Sequence, residues 1–194
     1  DSSTLVNKLV AVDNSSAASI VDLAEGLKRF GSIAQLAGQD IDEVIASIAT
    51  LQELTARGGS QIGNSLKSIV TRIYDKDSIS FLEQLQVTIR DTNGELLPAL
   101  QLVENLGNAI RDLPKEQKLN ILKDISGLYQ VNAAAAFIDG LEELNGQQSL
   151  YQKNLRTSTA ATNEAFIANQ KLSTTLAAGF SVLDTQLGQI LSRF

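Results

Sequence analysis

Cysteine, histidine, tryptophan and methionine are all absent from this sequence of 194 residues. Without histidine or cysteine, the chain cannot form a Ser-His-Asp triad, a cysteine nucleophile, a dithiol redox pair or a zinc finger. Disulfides are equally impossible, so the composition indicates neither an oxidising nor a reducing compartment. Because the chain has no initiator methionine, we expect it to be an internal piece of a longer protein.

Positive charge is also scarce, with 16 basic residues against 22 acidic ones and a net charge of -6. The lysines and arginines are scattered, whereas nucleic-acid binding needs a basic face that displaces counterions from phosphates. We therefore expect no direct nucleic-acid binding by this fragment. The longest apolar run, residues 133–138, is far shorter than the ~20 residues that a bilayer requires, so we expect no membrane span.

Apolar residues at helical spacing dominate what the sequence does contain. Hydrophobic residues make up 43% of the chain, which is enough for a buried core. Their 3.6-residue period over residues 17–30 predicts a helix that stops at Gly31. Asp40 and Glu43 have the spacing of a capping box at the start of another helix. Similar periods recur along the chain, and we predict a mainly α, multi-helix fold.

Gly58 and Gly59 are candidate turn residues between two of these helices. Glycine permits a tight chain reversal and the close approach of a neighbouring backbone, so we expect the two helices to form an antiparallel hairpin. The run GGSQIG at residues 58–63 has a superficial likeness to a phosphate-binding loop. It lacks the lysine of such a loop and follows a helix instead of a strand, so a helix–helix turn is favoured.

The period changes from 3.6 to 2 around Val87 and Ile89, which alternate with polar residues. The alternation ends at DTNG, residues 91–94, where Asn93 and Gly94 tolerate positive φ angles. We predict one small β-hairpin or extended arm here, with Asn93 and Gly94 as its turn residues.

Acidic residues give no convincing metal or catalytic site. The spacing around Asp75 and Asp77 fails the calcium-loop pattern, because position 5 is Ile79 and position 6 is Ser80. Glu142 and Glu143 are adjacent on a helix and therefore point in different directions. We expect no metal site, no cofactor and no catalytic residues, and hence no enzyme.

The last part of the chain, from Gln147 to Phe194, has no proline and few charges. We predict a compact domain over residues 1–145 and a long amphipathic helix over residues 146–194 that pairs with other copies as a coiled coil. Two shorter helices, broken near Gly179 and folded back on the core, would also fit this sequence. The candidate oligomerisation residues recur in steps of three and four: Leu172, Leu176, Phe180, Leu183, Leu187, Ile190 and Phe194.

The order of motifs over about residues 5–145 resembles the TP901-type core region of phage tail tape measure proteins. One segment, residues 85–96, is similar to the family's LGV-x-x-x-D-x-x-G pattern, with Gln86 in place of the usual glycine. The other matching segments before it are DLAEGLKR at 22–29, Ala37-Gly38, Glu43 with Ala46 and Leu51, GGSQIGNSL at 58–66, and Arg72. Those after it are Leu106 with Ile110 and Leu113, Gln117-Lys118, Ile125-Ser126-Gly127, and Ala133 to Ala136 through Leu141.

This resemblance implies a structural role in a phage tail or tail-like particle. Tape measure proteins occupy the tail tube, set its length, and leave when the genome is ejected. The implied partners are tail tube, tail-tip and tail chaperone proteins and further copies of the chain, as a trimer or another homo-oligomer. The implied location is the virion tail, in the tube lumen or at the tip, and the host cytoplasm during assembly. A helical interaction or adaptor module of a non-phage bacterial protein is the alternative.

Overall fold

The computed structural model describes residues 2–143 and 146–161, and this part of the chain is almost entirely helical. It confirms the mainly α fold class. Within these residues there are nine α-helices and one 3-10 helix, Leu128–Gln130. The α-helices are α1 Ser2–Ser15, α2 Ile20–Leu36, α3 Ile41–Thr55, α4 Gly59–Ile73, α5 Lys76–Gln84, α6 Ala99–Ile110, α7 Lys115–Ser126, α8 Val131–Leu141 and α9 Leu150–Ala160.

Helix α3 lies at the centre of the fold. Every residue from Val44 to Gln52 is buried, so the middle of this helix has no side facing solvent. Helices α2, α4, α8 and α9 pack around it. Its large side chains Ile45, Ile48 and Leu51 are fully buried, and each such burial stabilises the fold by about 1.5–3 kcal/mol.

Helices α2 and α4 approach each other so closely that their backbones touch. A Cβ atom built on Gly59 would lie 2.6 Å from the Cα of Asp22, and one on Gly63 would lie 2.7 Å from the carbonyl oxygen of Gly26. Both distances are too short for any side chain. Glycine is therefore required on α4 for this contact, as the close approach predicted for the region of Gly58 and Gly59 implies.

Two predicted helix ends differ from the observed ones. Helix α2 continues through Gly31 to Leu36, because Phe30 and Ala34 on both sides of this glycine are buried in the core. The left-handed residue that follows this helix is Gly38, with a φ of 81°. Helix α3 ends before the predicted glycines, at Ala56, which is itself left-handed with a φ of 52°.

The predicted β-hairpin is wrong, since no strand forms in the described residues. A single antiparallel bridge joins Arg90 and Leu96. The returning chain is too short for a strand, because Pro98, two residues after Leu96, lacks an N–H and is the N-cap residue of α6. The alternation instead reflects burial, because Val87 and Ile89 are buried in the core while Thr88 between them is exposed.

Gln86 adopts a left-handed conformation, with a φ of 57°. This is the position where the resemblance noted above has glycine. A left-handed φ costs a residue with a Cβ atom roughly 1–2 kcal/mol, whereas glycine adopts it freely. The positive φ angle at this position explains why the pattern has glycine there. Glutamine adopts the same angle at a steric cost.

The segment predicted as a long C-terminal helix is described only at its beginning. Helix α9 ends at Ala160, and the next residue, Ala161, is extended. Helix α9 packs against α1, α3 and α8. Residues 162–194 lie outside the described part, so the division into domains at residue 145 stays a prediction. None of the helices described is long and apolar enough to cross a membrane.

Substitution of Gly59 by alanine should lower the free energy of unfolding by about 3 kcal/mol, because the new methyl group would push α4 away from α2. Urea unfolding monitored by circular dichroism measures this change. Gly31→Ala is the matched control. Its Cβ would meet only a Leu27 side chain at 3.5 Å, so it should stabilise α2 by up to about 1 kcal/mol. Equal effects of the two substitutions would contradict the backbone contact.

Candidate functional site

The sequence-predicted site residues fall in three places. The seven candidate oligomerisation residues, Leu172 to Phe194, lie outside the described residues. Gly58 and Gly59 form the beginning of α4, where Gly58 is the N-cap residue. Asn93 and Gly94 lie at the exposed tip of the loop between α5 and α6, and Gly94 has a φ of 85°. The structure therefore brings none of these groups together into one site.

Asp22 connects three helices through its carboxylate. The backbone N–H of Gly59, at the start of α4, donates to Oδ1 at 2.8 Å. The Gln52 side chain on α3 donates to Oδ2 at 2.6 Å, and the Ser19 hydroxyl donates to the same oxygen at 2.7 Å. A negative charge here also suits the N-terminus of α4, where backbone N–H groups lack helical partners.

These bonds alter the acidity of Asp22. The hydrogen bond from the Gly59 N–H, followed by that from Ser19, lowers the pKa of the Asp22 carboxyl below its ordinary value of 3.8. Each bond favours the charged form, while partial burial acts in the opposite direction. The carboxylate therefore stabilises the junction of α2, α3 and α4 mainly in its ionised state.

Sequence reasoning missed this junction, although one local signal was present. The observed N-cap of α2 is Ser19, and its side chain accepts the N–H of Asp22 at 3.2 Å. Ser15 and Ser16, which precede Ser19, are equally plausible caps by residue type. The Ser-x-x-Asp spacing from 19 to 22 distinguishes the true cap, as the Asp40 and Glu43 spacing does for α3.

A second polar junction ties the first and the last of the described helices to α3. Lys8 on α1 forms a salt bridge with Asp42 on α3, with Nζ and Oδ1 2.6 Å apart. The Ser158 hydroxyl on α9 donates to the same Asp42 oxygen at 2.5 Å. Lys8 also donates to the backbone carbonyl of Ser158 at 3.3 Å. Both charged side chains are largely buried, with 13% and 15% of their surface exposed.

Asn154 adds a further polar contact between α9 and α3. Asn154 is fully buried, and its side-chain NH₂ donates to Glu53 Oε1 at 2.9 Å and to Thr50 Oγ1 at 3.4 Å. Tyr151 is buried one turn earlier. Burial, together with the nearby charges of Glu43 and Asp40, raises the pKa of its hydroxyl above the ordinary value, so this group stays protonated.

A surface groove runs between α6 and α8 and holds a cavity of about 310 Å³. Acidic side chains line it, and an ion pair crosses it between Arg111 Nε and Glu142 Oε1, 2.7 Å apart. A neighbouring cavity of about 170 Å³ lies toward α7, beside Lys115 and Lys118. Burial and the charge of Glu142 raise the pKa of Asp139 there. The groove thus presents charges of both signs.

These polar groups join helices to one another by hydrogen bonds. Asp22 and Asp42 each accept hydrogen bonds from two other elements, and this fixes the relative positions of α1, α2, α3, α4 and α9. In the part of the chain that the structure describes, no group of three acidic side chains could hold a metal ion.

Asp22→Ala should lower the free energy of unfolding at pH 7 by about 2 kcal/mol, because the Gly59 N–H and the Gln52 amide lose a charged acceptor. The folded pKa of Asp22 lies below the unfolded value. Its contribution is therefore complete above pH 3.8 and is lost as the pH falls through the folded pKa. Urea unfolding of the wild type and of Asp22→Ala at pH 7, 4 and 3 should show that the difference between their free energies of unfolding decreases as the pH falls.

Asp124→Ala provides the control for this experiment, because Asp124 is exposed near the end of α7 and should change stability by less than about 0.5 kcal/mol. A difference between wild type and Asp22→Ala that stays constant across this pH range would contradict the role assigned to the ionised carboxylate.

Comparison with known proteins places this helical domain in a family. Residues 1–127 match the family described as phage-related minor tail protein. The tape measure protein of Pneumococcus phage Dp-1 is 28% identical over 127 residues, which are 64% of this chain and 11% of that protein. Among solved structures, none matches the chain. Since the family match covers well over half of its residues, the chain belongs to the phage-related minor tail protein family.

Proposed function

We propose that this chain is part of a tape measure protein, which directs tail assembly, sets tail length and leaves the tail during genome ejection. The observation that carries this proposal is the match to a tape measure protein over 127 residues, together with the family match over residues 1–127. The matched segment covers 11% of that relative, so these activities would belong to a much longer protein. A role in assembly also accounts for polar groups that join helices, and we infer that the chain is not an enzyme.

We assign docking to the compact domain, residues 1–145, and the determination of tail length to the segment of residues 146–194. A continuous helix rises 1.5 Å per residue and is therefore a usable ruler. The described helices reverse direction every 10 to 20 residues, which makes this domain unsuited to measuring length. Helix α9 would then be the part of the second segment that lies on the first.

The proposed partners are the tail tube, tail-tip and tail chaperone proteins. The proposed location is the tube lumen or the tip of the virion tail, preceded by the host cytoplasm during assembly. The net charge of -6 supports a role that does not include direct binding of the genome, because like charges repel. This domain would contact the surfaces of other proteins and not the phosphates of the genome.

The chain would also associate with further copies of itself through its C-terminal segment. Leu172, Leu176, Phe180 and the four later members of the apolar stripe follow a heptad-like spacing. Such a stripe favours two or more helices packed side by side, as a trimer or another homo-oligomer. Pairing along this stripe would stiffen the rod that the length proposal requires.

A duplication of residues 162–189 in the phage gene should lengthen the tail by about 42 Å, because 28 further residues would extend a helical ruler by that amount. Electron microscopy of assembled tails measures the change. The control inserts a Gly/Ser segment of equal length between Asn93 and Gly94, at the exposed loop tip, and should leave tail length unchanged. Tails of wild-type length after the duplication would refute the ruler assignment.

Leu183→Asp or Leu187→Asp should reduce the sedimentation coefficient of the purified chain to that of a smaller species, because a charge on the apolar stripe opposes helix pairing. The helical content of the compact domain should persist. Thr185→Asp adds the same charge between these positions but on the opposite side of a helix, and should leave the oligomer intact. Unchanged sedimentation in both leucine variants would remove the stripe from the interface.

A further inference from the structure

Helix α9 packs against the core through a face of mixed character, on which Tyr151 and the partly buried Leu155 are apolar and two further buried residues are polar. Its buried residues are Tyr151, Asn154 and Ser158, at helical spacing along one side. By contrast, α4 buries mainly large aliphatic side chains, including Ile62, Leu66 and Ile73. Apolar burial is the main stabilising contribution when a helix docks, so α9 gains less from its position than α4 does.

Two atoms on the buried face of α9 have no hydrogen-bond partner among the described residues. They are the hydroxyl oxygen of Tyr151 and the side-chain carbonyl oxygen of Asn154. A buried polar group without a partner loses its hydration and gains nothing in return. Both groups would recover hydrogen bonds to water if α9 left the core. Burial of these two groups therefore makes an unfavourable contribution to the free energy of docking.

At its C-terminal end α9 contacts a charged pair, where the Ser158 hydroxyl donates to Asp42 and the Ser158 carbonyl accepts from Lys8. The salt bridge between Lys8 and Asp42 does not depend on α9, because it joins α1 directly to α3. Release of α9 would therefore leave this ion pair in place and return it to solvent. The core would keep its internal charge pairing in either position of α9.

Local sequence does not require α9 to end at Ala160. No glycine or proline occurs between Ala161 and Ala178, so nothing in this stretch stops a helix in the way that Gly127 stops α7. The extended conformation of Ala161 accompanies the docked position. A released α9 could join the residues that follow in one continuous helix.

From these four observations we propose that α9 is a releasable strap. In the docked position α9 packs on α1 and α3, and its Ser158 hydroxyl donates to Asp42. In the released position its buried polar groups are hydrated and residues 150–160 add to the C-terminal segment. The rest of the domain, which is built on the apolar core around α3, stays folded in both positions.

Hydrogen exchange measured by mass spectrometry on the complete chain tests this proposal. The amides of α9 should exchange at least about tenfold faster than those of the buried middle of α3, because they open without global unfolding. Tyr151→Phe removes only the hydroxyl that lacks a partner, and should slow α9 exchange about tenfold. Ser158→Ala removes the bond to Asp42 and should speed it about fivefold.

Neither substitution should alter exchange in α2 or α4, since the strap opens independently of them. Thr159→Val is the matched control, because it removes a hydroxyl from the exposed side of the same helix and should leave α9 exchange unchanged. Exchange of α9 at the rate of α3 would overturn the proposal. An equal change of α2, α3 and α9 in Tyr151→Phe would overturn it as well, because α9 would then unfold only with the core.

Discussion

The contact between the backbones of α2 and α4 is the constraint on which the other helix positions depend. Gly59 and Gly63 place no side chain between the two helices, and Asp22 accepts the Gly59 N–H across the same contact. Helix α3 is then seated against both, with Ile48 resting on Gly26 at 2.8 Å from a Cβ built there. A packing this close tolerates no added volume, so a single methyl group at the contact affects three helices.

Local patterns in the sequence predicted those features that depend on a few neighbouring residues. The capping box of Asp40 and Glu43 is present as expected. The apolar alternation at Val87 and Ile89 correctly indicated which side chains are buried. It could not show whether a second strand would pair with them, because strand pairing depends on the length and direction of the returning chain.

The polar junctions could not be predicted in this way. Asp42 and Ser158 are 116 residues apart, so no periodicity or spacing links them. The left-handed conformations of Ala56 and Gln86 were equally hidden, since the expected residue for such a φ angle is glycine. At these positions the surrounding packing determines the backbone, and the local preference of the residue does not.

The structural unit extends beyond the residues that define the family match. Helix α8 follows that region, yet Phe137 is among the largest fully buried side chains and Ile138 fits against Gly107 of α6. Helix α9 completes the cover of α3 on another side. Helices α8 and α9 therefore pack in the same body as the helices that precede them.

The contact between Lys8 and Ser158 places the first and the last of the described helices side by side. The axes of two helices packed in this way are typically about 10 Å apart. The described residues drawn out as one helix would span about 240 Å. Because the described helices pack on one another, they contribute much less to an end-to-end distance than the same residues would as one extended helix.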